Sequence, residues 1–206
     1  MTTIDVLLFD LGGVLVEFSG VQDVAPLLRE KLSEAEILEH WRHCPHTWQY
    51  GNGKLSRQEF GERFVRDWDL NVSPQVFLRE FRTWSKRLLP GAAELLAALQ
   101  SRFRLAALSN SNELHWERNT HDLGIIGYFE FAISSHQIGI HKPDTAAYLI
   151  ALERLGVPPQ AVMFFDDTPT NVEAAKALGI HAFQVEGVKG VRARLIEEGL
   201  LQANSV

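Results

Sequence analysis

Three apolar runs in this chain each end in compact polar groups. Ile4-Asp5-Val6-Leu7-Leu8-Phe9 delivers Asp10 into the glycine turn Leu11-Gly12-Gly13-Val14. Phe103 to Leu108 leads into Ser109-Asn110, and Ala161 to Phe165 leads into Asp166-Asp167. Open parallel sheets bind ligands beyond the carboxyl ends of their strands, so side chains at such positions converge. Together with Lys142 they would gather three carboxylates, a hydroxyl, an amide and an ammonium. Carboxylates sharing one pocket raise one another's pKa unless a cation neutralises them. Magnesium is the natural cation, because it takes oxygen ligands, keeps several waters and bridges one or two carboxylates to a substrate phosphate. Lys142, Ser109 and nearby backbone amides would then complete a phosphate cradle. Taken singly, each residue also has a plain structural use. Asp10 suits a turn cap, Ser109 and Asn110 suit caps or turns, and Lys142 suits a solvated position before a helix begun by Pro143.

These groups need elements to position them. Residues 1–16 read as a strand and its turn. From about residue 17 to 88 the pattern is helical and aromatic, with Phe60, Phe64 and Trp68 at four-residue spacing and Phe77, Phe81, Trp84 and Leu88 repeating one stripe. Ser33 with Glu36 and Ser56 with Glu59 are capping boxes, and Ser73-Pro74 supplies an N-cap and a first-turn proline. The segment is expected to hold three or four helices. Pro45 to Gly53 reads as an unpatterned loop, in which Trp48 either stacks on a ligand ring or packs a turn. Beyond Leu89-Pro90-Gly91 the chain alternates. A helix is expected over 91–101, a strand ending at Ser109, a strand over 129–134, a helix over 143–155, a strand over 162–165, a helix over 171–178 and a strand over 182–185. This is the pattern of an α/β fold, a doubly wound parallel sheet with an inserted helical cap. The core would comprise residues 1–16 and 89–206, the cap residues 17–88. Gly179 and Gly199 suit positions just past helix ends, and residues 202–206 are expected to fray.

Composition narrows the partners. At 206 residues and 46% hydrophobic content the chain can bury one sizeable core. No stretch approaches the roughly 20 apolar residues of a membrane span, and no basic, cleavable leader precedes the first strand, so a cytoplasmic location is expected. The single cysteine, Cys44, leaves no internal disulfide and is expected to pack. A formal charge of -6 provides no broad basic field for nucleic acid, while a local pocket for a small anion is compatible with it. His46, His115 and His141 lack zinc-type spacing, and no transition-metal site is expected.

Phe9-Asp10-Leu11-Gly12-Gly13-Val14-Leu15, Leu108-Ser109-Asn110, Lys142-Pro143 and Phe164-Phe165-Asp166-Asp167 with Asn171 resemble, in order and spacing, the four motifs of the haloacid dehalogenase superfamily. The match spans essentially the whole chain. Within that superfamily, Leu108 to His115, Gly139 to Pro143 and the double aspartate are similar to bacterial phosphatases that hydrolyse alpha-glucose 1-phosphate. The resemblance implies a magnesium-dependent phosphatase acting on a small phosphorylated metabolite. Asp10 would attack phosphorus, and water would release phosphate from the resulting aspartyl phosphate. It implies a metal held by the Asp10 and Asp167 carboxylates and the Gly12 carbonyl, with Asp166 as ligand or anchor. Phosphate would be bound by Ser109, Asn110 and Lys142.

Gly12 departs from that pattern, since most phosphatases of the superfamily carry a second aspartate there for general acid-base work. Either Glu17, His46 or an ordered water substitutes, or the leaving hydroxyl is acidic enough to depart unaided, as in a sugar 1-phosphate. Two other activities fit parts of the pattern: a dehalogenase in which Asp10 attacks carbon, and a phosphate-binding regulatory protein without turnover.

Overall fold

The computed structural model describes residues 3–202. The expected fraying of residues 202–206 therefore falls, apart from Gln202, outside the described range. Among the described residues, seven strands form: β1 Val6–Phe9, β2 Val16–Phe18, β3 Ser85–Leu88, β4 Arg104–Ser109, β5 Phe131–Ser134, β6 Val162–Asp166 and β7 His181–Gln184. Five of them make one parallel sheet in the order β5-β4-β1-β6-β7. The chain folds as the α/β doubly wound sheet that the alternating pattern implies.

Both faces of this sheet are covered, so β1 is apolar at every position rather than alternating. Leu7 and Phe9 pack against α6 (Ala92–Gln100) and α11 (Gly187–Glu197), with Phe9 stacked 5.3 Å from Phe165. Val6 and Leu8 pack on the opposite face against α9 (Thr145–Leu155) and α10 (Pro169–Ala177). Register decides function here. Phe9 lies opposite Phe165, and the Asp10 amide donates to the Phe165 carbonyl at 2.9 Å, so Asp10 leaves the sheet level with Asp166.

The aromatic segment forms five α-helices rather than three or four: α1 Gly20–Val24, α2 Glu34–His43, α3 Pro45–Gly51, α4 Arg57–Asp67 and α5 Pro74–Arg82. The Ser33/Glu36 and Ser56/Glu59 capping boxes both form, and the Ser73 hydroxyl accepts from the Val76 amide with Pro74 in the first turn. Tyr50, Phe60, Phe64, Phe77, Phe81 and Trp84 share one core, with Phe64 and Phe77 stacked at 4.6 Å.

Four expectations need correction. The stripe from Phe77 does not remain helical to Leu88. The helix stops at Arg82, and Ser85–Leu88 pairs antiparallel with Val16–Phe18, because a cross-strand partner outweighs local periodicity. This ribbon straddles the expected boundary between the core and the inserted segment. The supposed loop carrying Trp48 is α3, entered through Pro45. Helix α9 starts at Thr145 rather than Pro143, since the Asp144 carboxylate caps it at the Ala146 amide, and α10 starts at Pro169, two residues before Asn171.

The remaining helices are α7 (Glu113–Glu117), which continues into a π-helical turn Arg118–Asp122, and α8 (Ser135–Ile138). Gly179 and Gly199 adopt positive φ just past α10 and α11, as expected. Among the described residues no helix is long and apolar enough to cross a membrane. Cys44 is buried, and its sulfur accepts from the Trp68 indole N–H at 3.4 Å.

Candidate active site

The carboxyl ends of β1, β4 and β6 bring Asp10, Ser109, Asp166 and Asp167 together, and the loop after α8 adds Lys142. The buried Lys142 Nζ donates to Asp10 Oδ1 at 2.9 Å and to Asp166 Oδ2 at 2.6 Å. Oxygens of Asp10, Asp166 and Asp167 all lie within 4.8 Å of one another. Three carboxylates thus face one ammonium, leaving two negative charges in excess. Burial, and after it this surplus, raises the proton affinities of the carboxylates. Burial pushes the Asp10 carboxyl up to about 6, and although Lys142 draws it down, Asp166 and Asp167 push it higher. Partial enclosure of the carboxyl group and then Asp166 also raise Asp167, although the residue as a whole is exposed. Lys142 keeps its proton more tightly than usual, because Asp10 and Asp166 outweigh the opposing effect of its burial.

The carboxylates differ in what they have left to offer. Asp166 is wholly enclosed. Besides Lys142, it accepts from the Thr168 amide at 2.8 Å and from Asn171 Nδ2 at 3.0 and 3.1 Å. Its role in this arrangement is to fix Lys142 and the start of α10. Asp167 is exposed, takes a hydrogen bond from Thr168 Oγ1 at 3.1 Å, and borders the same cavity as Asp10.

Asn110 does something the linear pattern does not reveal. Its Nδ2 donates to the Lys142 carbonyl and its Oδ1 accepts from the Lys142 amide, both at 2.8 Å. The amide expected to bind phosphate is engaged with the lysine's backbone and thereby sets where the ammonium points.

Neither side chain considered as a substitute acid lines this cavity. Glu17 pairs with Arg87 at 2.7 Å, and His46 Nε2 lies 2.6 Å from Asp67 Oδ2. Gly12 does line it, and a Cβ built there would meet nothing within 4 Å. Space for a side chain exists at position 12, but no side chain occupies it.

The cavity, about 580 Å³, runs from Asp10 to the inserted helices, where Trp41, Arg42 and Trp48 border it. Trp48 is half-exposed, 6.0 Å from the His141 ring and beneath the Lys54 ammonium at 4.6 Å. His115 is buried and His141 half-buried. Burial pushes both imidazoles down to about 4. His115 Nε2 lies 2.7 Å from the Phe81 carbonyl, which requires a donor there, so Nδ1 accepts from Asn112 Nδ2 at 2.9 Å. Ser85, Asn112, His115 and Asn119 form a polar wall that sequence reading missed. Asn112 had a signal, as a helix N-cap directly after the Ser109 motif, and it caps α7 through the His115 amide. Ser85 and Asn119 had none, since their burial arises only from the β2–β3 ribbon meeting the π-turn.

Comparison with known proteins places this geometry in a class. A model of the haloacid dehalogenase-like hydrolases matches residues 4–179, and the chain belongs to that family. It is 28% identical over 183 residues to a phosphoglycolate phosphatase of Aquifex aeolicus, covering 84% of this chain and 81% of that protein. It is 32% identical over 146 residues to a phosphorylated carbohydrates phosphatase of Thermotoga maritima, covering 69% of this chain and 65% of that protein. A haloacid dehalogenase family enzyme of Bacteroides thetaiotaomicron, crystallised with magnesium and inorganic phosphate, shares the fold with a TM-score of 0.74 at 22% identity, covering 89% of this chain and 94% of that one.

Proposed function

We propose that this chain is a magnesium-dependent phosphatase that hydrolyses a small phosphorylated metabolite, a sugar phosphate such as a sugar 1-phosphate, through an aspartyl-phosphate intermediate. The observation that carries the reading is the charge surplus of three carboxylates around one buried ammonium. The donor set fits a hard dication: every group is an oxygen, and neither thiolate nor imidazole belongs to the cluster. Asp10, Asp167 and the Gly12 carbonyl would hold it, with Asp166 anchoring Lys142 beside them. Bound magnesium would neutralise charge on the phosphoryl group and bring it to the nucleophile.

Asp10 attacks phosphorus and the bond to the leaving oxygen breaks. Water then attacks the aspartyl phosphate, freeing inorganic phosphate and restoring the carboxylate. Lys142 and Ser109 hold phosphoryl oxygens, and Asn110 keeps Lys142 in place. With no carboxyl at position 12, the leaving oxygen receives its proton late, which favours an acidic leaving group such as an anomeric hydroxyl. Residues 17–88 act as a cap over residues 1–16 and 89–206. The names of the two phosphatase relatives, which specify phosphoglycolate and phosphorylated carbohydrates, support the substrate class.

The test is a panel of phosphorylated metabolites assayed with magnesium and with chelator, using Asp10→Asn as control. Phosphate release should require magnesium and Asp10, and sugar 1-phosphates should exceed their 6-phosphate isomers. Equal turnover of the two isomers would remove the anomeric assignment. Metal-independent halide release from haloacids would replace the phosphatase reading with carbon–halogen hydrolysis.

A further inference from the structure

We infer that Asn119 and Ser85 form a subsite that reads a hydroxyl group of the leaving alcohol, which makes them the specificity-determining pair of the cavity. The inference rests on the phosphatase reading above and narrows the leaving group to a polyhydroxylated one.

Both residues border the cavity that contains Asp10, yet Asn119 is only 4% exposed and Ser85 3%. Ser85 Oγ donates to Asn119 Oδ1 at 2.6 Å. Asn119 Nδ2 has no protein acceptor among the described residues, and it is not one of the sealed, unpartnered atoms, so it opens onto the cavity. A donor that faces a cavity without a protein acceptor is satisfied there by water or by an acceptor on a bound molecule. A hydroxyl fits the pair completely: its oxygen accepts from Asn119 Nδ2, and its proton goes to a free lone pair on Ser85 Oγ.

The pair is held rigidly. Asn119 sits in the π-helical turn, a rare conformation that recurs at functional sites. The Arg118 guanidinium donates to the Ser85 carbonyl, to the Lys86 carbonyl at 3.0 Å and to Asp122 at 2.9 Å, and Arg82 grips Asp122 at 2.6 and 2.8 Å. Phe18 and Phe81 supply apolar surface beside the pair for the C–H face of a sugar ring.

The experiment compares wild type, Asn119→Leu and Ser85→Ala on the best sugar phosphate, its monodeoxy analogues and p-nitrophenyl phosphate, which has no hydroxyl to read. In wild type, one deoxy position should lower kcat/KM about tenfold or more. Each variant should show a comparable loss on the parent sugar, no further loss on that analogue, and p-nitrophenyl phosphate turnover within about twofold of wild type. Should Asn119→Leu not fold, Ser85→Ala carries the same test. Additive losses on every analogue, or a parallel loss on p-nitrophenyl phosphate, would overturn the subsite while leaving the phosphatase intact. Failure of wild type to hydrolyse any phosphate ester would overturn both.

Discussion

Gly13 lies directly against Asp167: a Cβ built on Gly13 would overlap the Asp167 carboxylate, and its φ of +73° already excludes most side chains. The neighbouring Gly12 has open space and carries neither restriction. Two adjacent glycines therefore have opposite tolerances. Gly13→Ala should displace Asp167, abolish the stabilisation by magnesium seen in thermal melts, and cost at least about 1–2 kcal/mol from the backbone alone. Gly12→Ala should retain both. If magnesium raised the melting temperature of Gly13→Ala as much as that of wild type, Asp167 would not be a metal ligand.

Gly12→Asp should fold normally and place a carboxyl on the leaving-group side. General acid catalysis contributes about 10²- to 10⁴-fold, chiefly for alcohols that leave poorly. The variant should therefore raise kcat/KM for a sugar 6-phosphate by about tenfold or more relative to the 1-phosphate. An unchanged ratio between the two substrates would show that leaving-group protonation does not govern the selectivity.

Lys142 and Asp10 should shift stability in opposite directions. Lys142→Ala leaves buried carboxylates uncompensated, a change that typically costs about 3–5 kcal/mol, and turnover should vanish with it. Asp10→Asn reduces the surplus charge, so the metal-free protein should resist urea better than wild type while losing activity. A lower urea midpoint for Asp10→Asn would mean that the carboxylates are not in excess without metal.

His115 makes stability depend on pH. Burial lowers its folded-state pKa from the ordinary 6.5 to about 4, so the unfolded chain binds the proton more readily. Its contribution is complete above pH 6.5 and is lost as pH falls toward 4. Between pH 7 and pH 5, wild type should lose about 2 kcal/mol more than His115→Gln, measured by urea unfolding. Parallel pH profiles for the two proteins would mean that folding leaves the imidazole's proton affinity unchanged.

Much of this architecture was legible in the sequence, because the rules that fix it act over a few residues. Apolar runs of strand length, the Ser33/Glu36 and Ser56/Glu59 capping boxes and the Ser73-Pro74 helix start each specify their own element. Strand-end placement of Asp10, Ser109 and Asp166 followed from the same signals. The misreadings occur where a distant partner competes with a local pattern. Leu88 continues a helical stripe from Phe77 but pairs instead with Val16, and the Trp48 segment becomes helical although no periodicity marks it.

Sequence determined which chemical groups this protein has and that a parallel sheet would present them at one edge. Tertiary structure decided what each of them does. Lys142 and Asp10 are 132 residues apart, and only the sheet register, with Asn110 bracketing the lysine's backbone, makes them hydrogen-bonded neighbours. Ser85 and Asn119 acquire their place in the cavity by the same long-range closure. Backbone propensity and capping are encoded within a turn or two, whereas burial and charge pairing depend on which surfaces meet after the chain has folded.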